Sequence, residues 1–220
     1  FDPTLKMTQY LHDGDAIKKG DVAFVVEGKT ISILQTERLV LNFMQRLSGI
    51  ATQTHEYVKL LEGTGTKILD TRKTTPGLRL LEKYAVKVGG GENHRIGLYD
   101  MILIKDNHID YAGGVTAAIT KTKEYLKAKG KNLKIEVEAR TLDEIKEILN
   151  FDVDRILIDN FTPEETKTAV ALINGKCKTE SSGGITKESI RAYAEAGVDY
   201  ISVGALTHHI SSLDLSLKAF

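Results

Sequence analysis

Several short apolar segments of this chain end in residues that can bind a ligand or take part in catalysis. From residue 65 onward these segments alternate with helical stretches, and they end at or just before Asp70, Lys105, Glu138, Asp159, Ser182 and Gly204. Such alternation is typical of parallel β/α folds. The carboxyl ends of parallel strands lie at one face, where barrel enzymes have their active sites. The sequence therefore predicts a barrel whose functional residues gather at one mouth.

The predicted fold class is α/β, with an incomplete α/β barrel over residues 65–204. About seven parallel strands are expected, over residues 67–70, 85–88, 101–105, 133–138, 155–159, 178–182 and 200–203. Amphipathic patterns predict helices over residues 115–129, 141–149, 163–173 and 187–196. A Rossmann-like open sheet is the alternative, but the Gly-x-Gly-x-x-Gly turn is absent, and Gly89-Gly90-Gly91 does not match it.

Residues 1–64 have a different pattern and are expected to belong to a separate amino-terminal domain. A hairpin is predicted over residues 22–26 and 30–34. Thr36 is expected to cap a long bridging helix that ends at Gly63. Because Phe1 is not Met, we expect this domain to be incomplete. Residues 205–220 are predicted to form a carboxyl-terminal helical segment.

Composition narrows the class of protein. Lys plus Arg and Asp plus Glu number 30 each, so no general basic field favours nucleic acid, and any cationic site must be local. No apolar run approaches the ~20 residues that cross a bilayer, so no membrane partner is expected. Cys177 is the single cysteine, which excludes an intrachain disulfide and favours a reducing, cytoplasmic location.

Two glycine turns follow the last two predicted strands. Ser182-Gly183-Gly184 and Gly204-Ala205 each precede a helical stretch, so their backbone N–H groups can receive a phosphate, as in many barrels. Ordinary tight turns are the alternative interpretation. Glu138 and Asp159 end two other strands, where carboxylates can hold Mg²⁺ or sugar hydroxyls. The alternative for these two is helix capping or an internal ion pair.

Cations concentrate between residues 69 and 109. We expect Arg79, Lys83 and Lys87 to be surface charges on a solvated helix. The remaining cations follow strand ends or the triple glycine and are expected at the mouth: Arg72, Lys73, His94, Arg95 and Lys105. His108 is a weaker candidate there, and His208 and His209 have no assigned role. Together, these residues favour a transferase or lyase that acts on a phosphorylated sugar and an anionic partner.

Several motifs resemble one known family from about residue 13 to the end of the chain. They are Glu37-Arg38, Gln45-Arg46-Leu47-Ser48-Gly49, Asp70-Thr71-Arg72-Lys73-Thr74, Asn93-His94-Arg95, Lys105-Asp106-Asn107-His108, Glu136-Val137-Glu138, Asp159-Asn160, Ser182-Gly183-Gly184 and Val203-Gly204-Ala205. In this order they resemble the quinolinate phosphoribosyltransferases.

The resemblance implies transfer of phosphoribosyl from phosphoribosyl pyrophosphate to quinolinate with loss of CO₂, in NAD synthesis, with Mg²⁺ as cofactor. It implies that residues 1–64 are the remnant of a small, sandwich-like α/β amino-terminal domain. It also implies a homodimer in which Arg46 acts in the neighbouring subunit's site. The implied quinolinate-binding residues are Arg46, Thr71, Arg72, His94, Arg95 and Lys105. Those implied for the donor are Lys73, Glu138, Asp159, Ser182, Gly183, Gly184, Gly204 and Ala205, of which Lys73, Glu138 and Asp159 are catalytic. Glu138 and Asp159 are the implied metal ligands, directly or through water.

Other functions remain open. A related barrel phosphoribosyltransferase could use nicotinate or another anionic acceptor, although a monocarboxylate needs fewer cations. A barrel aldolase could use Lys105 as its Schiff-base lysine. A non-catalytic phosphoribosyl-binding protein would not need Lys73, Glu138 and Asp159 together.

Overall fold

The computed structural model describes all residues from 1 to 220. Its amino-terminal part contains β1 (Lys6–Gln9), β2 (Phe24–Glu27) and the long helix α1 (Thr30–Leu60). The two strands pair antiparallel. The predicted hairpin is therefore wrong, since β2 pairs with an earlier strand and residues 30–34 belong to the helix. Thr36 lies inside α1, where its hydroxyl donates to the Ser32 carbonyl instead of capping the helix.

Residues 67–208 alternate strands with helices. The elements, in chain order, are β3 (Lys67–Leu69), α2 (Arg79–Val88), β4 (Ile102–Ile104), α3 (Asp106–Ala112), α4 (Val115–Ala128), β5 (Ile135–Ala139), α5 (Leu142–Ile148), β6 (Arg155–Asp159), α6 (Pro163–Ile173), β7 (Lys178–Ser182), α7 (Ile190–Glu195), β8 (Tyr200–Ser202) and α8 (Ala205–His208). The six strands form one parallel sheet in the order β3-β8-β7-β6-β5-β4. The predicted α/β class with a parallel sheet is confirmed.

The predicted strand over residues 85–88 is wrong, because these residues form the last turn of α2. Ala85 and Val86 are buried and Lys87 is exposed, which a helix achieves as readily as a strand over so short a segment. The chain after α2 takes the missing position instead. Glu92 forms a single parallel bridge with Leu69, at the free edge of β3.

The sheet is rolled so that its two ends approach each other. His94 follows the Glu92 bridge beside β3, yet its ring contacts Glu136 in β5 and Glu180 in β7. A flat sheet of this strand order would keep these residues far apart. The side chains that alternate with the charged interior residues pack against the helices: Val137, Ile156, Ile158 and Ile201 all lie in the main apolar core. The barrel therefore has an apolar outer layer and a polar interior.

The carboxyl-terminal segment is helical only over Ala205–His208, so the predicted helix over residues 205–220 is too long. Residues 210–220 have no regular structure, and residues 211–215 lie along α1. The Leu213 amide donates to the Gln45 carbonyl (3.0 Å), and the Gln45 side chain donates to the Leu215 carbonyl (2.8 Å). Gly49 permits this close approach, because a side chain there would collide with Ser211. None of the helices combines the length and the apolar character needed to span a membrane.

Candidate functional site

The carboxyl ends of the six strands bring the predicted site residues to one mouth. Lys105 Nζ lies 3.6 Å from Glu138 Oε2, which joins the ends of β4 and β5. The Thr207 hydroxyl donates to the Lys73 carbonyl (3.0 Å), which joins the last helix to the segment after β3. Thr71 shapes that segment, since its hydroxyl accepts a hydrogen bond from the Lys73 amide (3.0 Å). Residues far apart in the sequence thus share one surface.

A buried ion pair fixes the two segments that carry the cations. Asp70 is fully buried and pairs with the ammonium group of Lys83, which is only 2% exposed. Asp70 also accepts hydrogen bonds from the His94 amide (2.9 Å) and the Asn93 side chain (2.6 Å). Lys83 in turn donates to the His94 carbonyl (2.9 Å). Burial raises the pKa of Asp70 and lowers that of Lys83, although the pair partly offsets both effects.

The prediction that Lys83 and Arg79 are surface charges is wrong. Arg79 reaches under the mouth, where its guanidinium donates to the Thr74 hydroxyl (3.0 Å) and the Ile96 carbonyl (3.1 Å). Both cations lie on the inner side of α2, and Lys87 alone is exposed as expected. Arg79 and Lys83 therefore hold the loops of the site in place.

Arg72 and Arg95 form a cationic pocket between these loops. The Nε of Arg72 is buried and has no hydrogen-bond partner. Arg95 donates to the Met101 carbonyl (3.2 Å), and burial, followed by the charge of Arg72, lowers its pKa. Two neighbouring guanidinium groups with an unused buried donor favour binding of an anion.

His94 lies at the base of this pocket and is 8% exposed. Its Nδ1 accepts a hydrogen bond from the Arg95 amide (2.7 Å), and its Nε2 lies 2.9 Å from Glu136 Oε2. Burial lowers the pKa of the imidazole. Both ring nitrogens thus contact groups of the chain itself, although the family resemblance implied that His94 binds quinolinate.

Three interior charges were missed by the sequence analysis: Glu136, Arg155 and Glu180. All three lie in the barrel below the mouth, and both glutamates are fully buried. Arg155 Nη1 contacts Glu180 Oε2 at 2.5 Å, and burial, with the nearby charge of Glu136, raises the pKa of Glu180 to about 7. Strand alternation was the available signal, since Glu136 precedes Glu138, and Glu180 precedes Ser182, by two residues.

Glu138 and Asp159 form the carboxylate part of the mouth. Glu138 accepts a hydrogen bond from the Asp106 amide (3.2 Å). Burial raises the pKa of Glu138, and the charge of Asp159 acts in the same direction. Two adjacent carboxylates at an open mouth provide the hard oxygen ligands that Mg²⁺ prefers. His94, Glu136 and Glu180 also bring one ligand atom each within 4.8 Å of one another, but inside the barrel.

The glycine turn after β7 has the backbone expected of a phosphate cradle. Gly183 has a φ of +101° and Gly184 a φ of +60°, in the region that favours glycine. A side chain at position 183 would collide with Asn160. The Ser182 side chain is half-buried at the start of this turn.

The turn after β8 lies beside the segment that carries Lys73. Atoms of Lys73 and His208 are the neighbours that a side chain at Gly204 would meet, and Ala205 begins α8. The positive charge of Lys73 contributes to lowering the pKa of His208, after burial and His209. The structure therefore adds His208, which the sequence left without a role, to this side of the mouth.

Arg46 is held inside its own chain. Its guanidinium donates to Glu82 (2.8 Å), to the Thr75 hydroxyl (2.8 Å) and to the Thr207 carbonyl (3.1 Å). A role in the neighbouring subunit stays a prediction, and it would require Arg46 to leave these three partners. His108 has a local contact of its own, because its Nδ1 accepts from the Lys105 amide (2.9 Å) at the start of α3.

Two family models match the chain. One is described as the carboxyl-terminal domain of quinolinate phosphoribosyl transferase and covers residues 50–218, and the other is its amino-terminal domain and covers residues 1–48. The two matches meet inside α1, whereas we predicted a boundary between residues 64 and 65. That boundary stays a prediction.

Curated relatives match over nearly the whole chain. A mitochondrial quinolinate phosphoribosyltransferase (decarboxylating) 2b of Nicotiana tabacum is 46% identical over 99% of this chain. A probable nicotinate-nucleotide pyrophosphorylase (carboxylating) of Bacillus subtilis is 47% identical over the same share. The chain spans 66% of the length of the tobacco protein and 74% of that of the Bacillus protein.

Solved structures have the same fold. NadC from Streptococcus pyogenes superposes with a TM-score of 0.93 and 42% identity, over 99% of this chain and 76% of that one. The nicotinate-nucleotide pyrophosphorylase of Francisella tularensis gives a TM-score of 0.91 and 47% identity, over 96% of this chain and 74% of that one.

Proposed function

The chain belongs to the quinolinate phosphoribosyltransferase family, and on that premise we propose that it transfers phosphoribosyl from phosphoribosyl pyrophosphate to quinolinate in NAD biosynthesis. The products are nicotinate mononucleotide, pyrophosphate and CO₂. The observation that carries this proposal is the cationic pocket of Arg72 and Arg95 at the same mouth as Glu138, Asp159 and the glycine turns.

The acceptor half of the site is the cationic pocket. Arg72, Arg95 and Lys105 bind the two carboxylates of quinolinate, with Thr71 shaping the adjoining segment and His94 at the base. The unpartnered Nε of Arg72 supports this assignment, because a buried donor needs an acceptor. A dicarboxylate also relieves the repulsion between the two guanidinium groups.

The donor half is the carboxylate pair and the two glycine turns. Ser182, Gly183 and Gly184 receive one phosphate group, Gly204 and Ala205 receive another, and Lys73 lies beside the pyrophosphate. Glu138 and Asp159 hold the ribose hydroxyls and Mg²⁺, which their chemistry fits. When bound, Mg²⁺ would supply positive charge against the leaving pyrophosphate.

The chain's own side chains account for the rest of the reaction. As the bond to pyrophosphate breaks, positive charge develops on the ribose carbon, and the carboxylates of Glu138 and Asp159 stabilise it. The cationic pocket holds the pyridine nitrogen in line with that carbon. After the new bond forms, the positively charged ring nitrogen stabilises the electron pair left on the adjacent ring carbon when CO₂ departs. That carbon then takes a proton from water, which gives nicotinate mononucleotide.

The test is an assay with quinolinate, phosphoribosyl pyrophosphate and Mg²⁺, with nicotinate as a parallel acceptor. We expect nicotinate mononucleotide and CO₂ in equal amounts from quinolinate, and little product from nicotinate. Product from nicotinate alone, or no product from either acceptor, would contradict the proposal. Nothing favours the aldolase alternative, since Lys105 has a half-exposed side chain that lies near a carboxylate.

Replacing Arg95 by alanine should weaken quinolinate binding roughly 10- to 150-fold, because a charge-assisted hydrogen bond worth ~1.5–3 kcal/mol is lost. Nicotinate binding should weaken less, since it has one carboxylate fewer. Titration calorimetry with both acids measures the difference. Arg191→Ala is the control, because Arg191 lies on α7, where it pairs with Glu195. An equal loss for both acceptors would show that Arg95 does not bind the second carboxylate.

Replacing Gly183 by alanine should weaken donor binding roughly tenfold, because the added methyl group displaces the turn from Asn160 and misaligns its N–H groups. Gly175→Ala is a matched control, since Gly175 also has a positive φ (+72°) but open space around it. Both variants should lose stability, and only the first should lose affinity for phosphoribosyl pyrophosphate in calorimetry. Similar donor affinities in the two variants would argue against a phosphate site at this turn.

We also propose that the protein forms a homodimer and that it is located in the cytoplasm. Exposed apolar side chains support the dimer, since α1 and α2 leave Ile31, Leu34, Leu39 and Leu80 more than 60% exposed. Arg46 is proposed to act across the subunit boundary if dimerisation frees it from Glu82. The half-buried, unpaired Cys177 supports a reducing compartment.

A further inference from the structure

The charged cluster inside the barrel lies directly beneath the mouth. Glu136 precedes Glu138 by two residues on β5, so both side chains lie on the same face of the strand. Arg155 is opposite Glu136 in the register of β5 and β6, and Glu180 follows on β7. None of these three residues has a part in the reaction described above.

The neighbours of His94 show which ring nitrogen carries the proton. The Arg95 amide can only donate, so the Nδ1 that it contacts at 2.7 Å must be an acceptor without a proton. In a neutral imidazole the proton is then on Nε2, which lies 2.9 Å from Glu136 Oε2 and 3.5 Å from Glu180 Oε2. Neither oxygen of Glu136 has a well-aligned hydrogen-bond partner. Of the two cationic or imidazole nitrogens beside this buried carboxylate, His94 Nε2 is the closer, at 2.9 Å against 3.8 Å for Arg155 Nη1.

The guanidinium group of Arg155 balances the negative charge of the two buried glutamates. Arg155 Nη1 lies 2.5 Å from Glu180 Oε2 and 3.8 Å from Glu136 Oε1. The guanidinium also lies over the Tyr200 ring, 4.2 Å from its centroid, which fixes its position from the β8 side. Arg155 therefore supplies the positive charge that a metal ion would otherwise bring to His94, Glu136 and Glu180.

The cluster is connected to the mouth through one residue. His94 joins the interior to Arg95 by its Nδ1, and its backbone amide and carbonyl are held by Asp70 and Lys83. The backbone at position 94 is thus fixed from one side and the ring from the other. If the ring turned away from Glu136, the Arg95 amide would lose its acceptor, and the guanidinium group of Arg95 would move relative to Arg72.

We propose that Glu136 is a positioning residue for the acceptor: through the Nε2–H of His94, it holds Arg95 in place to bind the second carboxylate. This inference rests on the proposed function, since it takes the dicarboxylate as the ligand of Arg95. Glu180 and Arg155 support Glu136 by filling the rest of the interior.

The experiment compares Glu136→Leu with Glu136→Gln by calorimetry with quinolinate and, separately, with phosphoribosyl pyrophosphate. We expect Glu136→Leu to raise the Kd for quinolinate about tenfold and to leave the Kd for the donor within about twofold. Glu136→Gln should restore most of the affinity, because its amide oxygen still accepts from Nε2–H. Glu195→Leu is the surface control. Thermal melts show whether each variant is folded.

A second measurement does not depend on ligand binding. Nitrogen-15 NMR of the imidazoles, with the His94 signal assigned through His94→Gln, should show the Nε2–H tautomer in the unchanged protein. The Nδ1–H tautomer would overturn the proposal, and so would a folded Glu136→Leu variant that binds quinolinate as tightly as the unchanged protein. If Glu136→Leu does not fold, the tautomer and the affinity of Glu136→Gln decide. If the unchanged protein binds no quinolinate, the proposed function fails, and the tautomer still tests the contact with Glu136.

Discussion

Replacing Lys83 by alanine should lower the free energy of unfolding by about 3–5 kcal/mol, which is the cost of leaving one member of a buried ion pair without its partner. Asp70 is fully buried, so water cannot solvate its carboxylate once the ammonium group of Lys83 is removed. The same change removes the donor to the His94 carbonyl. Urea denaturation followed by circular dichroism measures the loss.

Two further variants separate the ion pair from the helix that carries it. Lys87→Ala changes an exposed lysine one turn later in α2, and we expect an effect within about 0.5 kcal/mol. The double variant Asp70→Asn with Lys83→Met removes both charges, and it should recover part of the stability that Lys83→Ala loses. A loss below about 1 kcal/mol for Lys83→Ala would mean that water or another cation reaches Asp70.

Lys83 also shows where the sequence stopped being informative. Strand ends were predictable, because a polar or charged side chain that follows an apolar segment marks the carboxyl end of a strand in each β/α repeat. The side of α2 that faces the core was not, because a lysine paired inside the protein looks the same in the sequence as a solvated one. Only the approach of the Asp70 carboxylate and the His94 carbonyl to the Lys83 ammonium group distinguishes the two cases.

The errors in secondary structure have a similar cause. Residues 85–88 and 30–34 are short apolar segments that suit a strand or a helix. Ala85 and Val86 are buried in the core, whereas Ile31 and Leu34 stay exposed, and residues 30–34 form the first turn of the long helix α1. The carboxyl-terminal residues have no regular structure, and Gly49 lets Ser211 approach α1 closely. Glu136 and Glu180 lie inside β5 and β7 and not at the strand ends, so only strand alternation indicates that they share the interior face with Glu138 and Ser182.

Replacing Asp159 by asparagine should reduce the rate of the chemical step roughly 100- to 1,000-fold, corresponding to about 3–4 kcal/mol of lost electrostatic stabilisation. The reason is that the proposed reaction develops positive charge on the ribose carbon next to Asp159 and Glu138. Asparagine keeps the shape and can still accept the hydrogen bond that the Asn160 side chain donates to Asp159 (2.6 Å). The change therefore keeps the shape of the side chain and removes its charge, both toward the ribose carbon and toward the Mg²⁺ that it is proposed to hold.

Single-turnover kinetics with saturating phosphoribosyl pyrophosphate is the appropriate measurement, because it reports the chemical step even where product release limits kcat. Quinolinate affinity should stay unchanged, since the cationic pocket is formed by other residues. Asp152→Asn is the control, because Asp152 is exposed just before β6, and it should react at the normal rate. A decrease of less than about threefold in Asp159→Asn would show that Glu138 alone stabilises the developing charge, and the two carboxylates would then have separate roles.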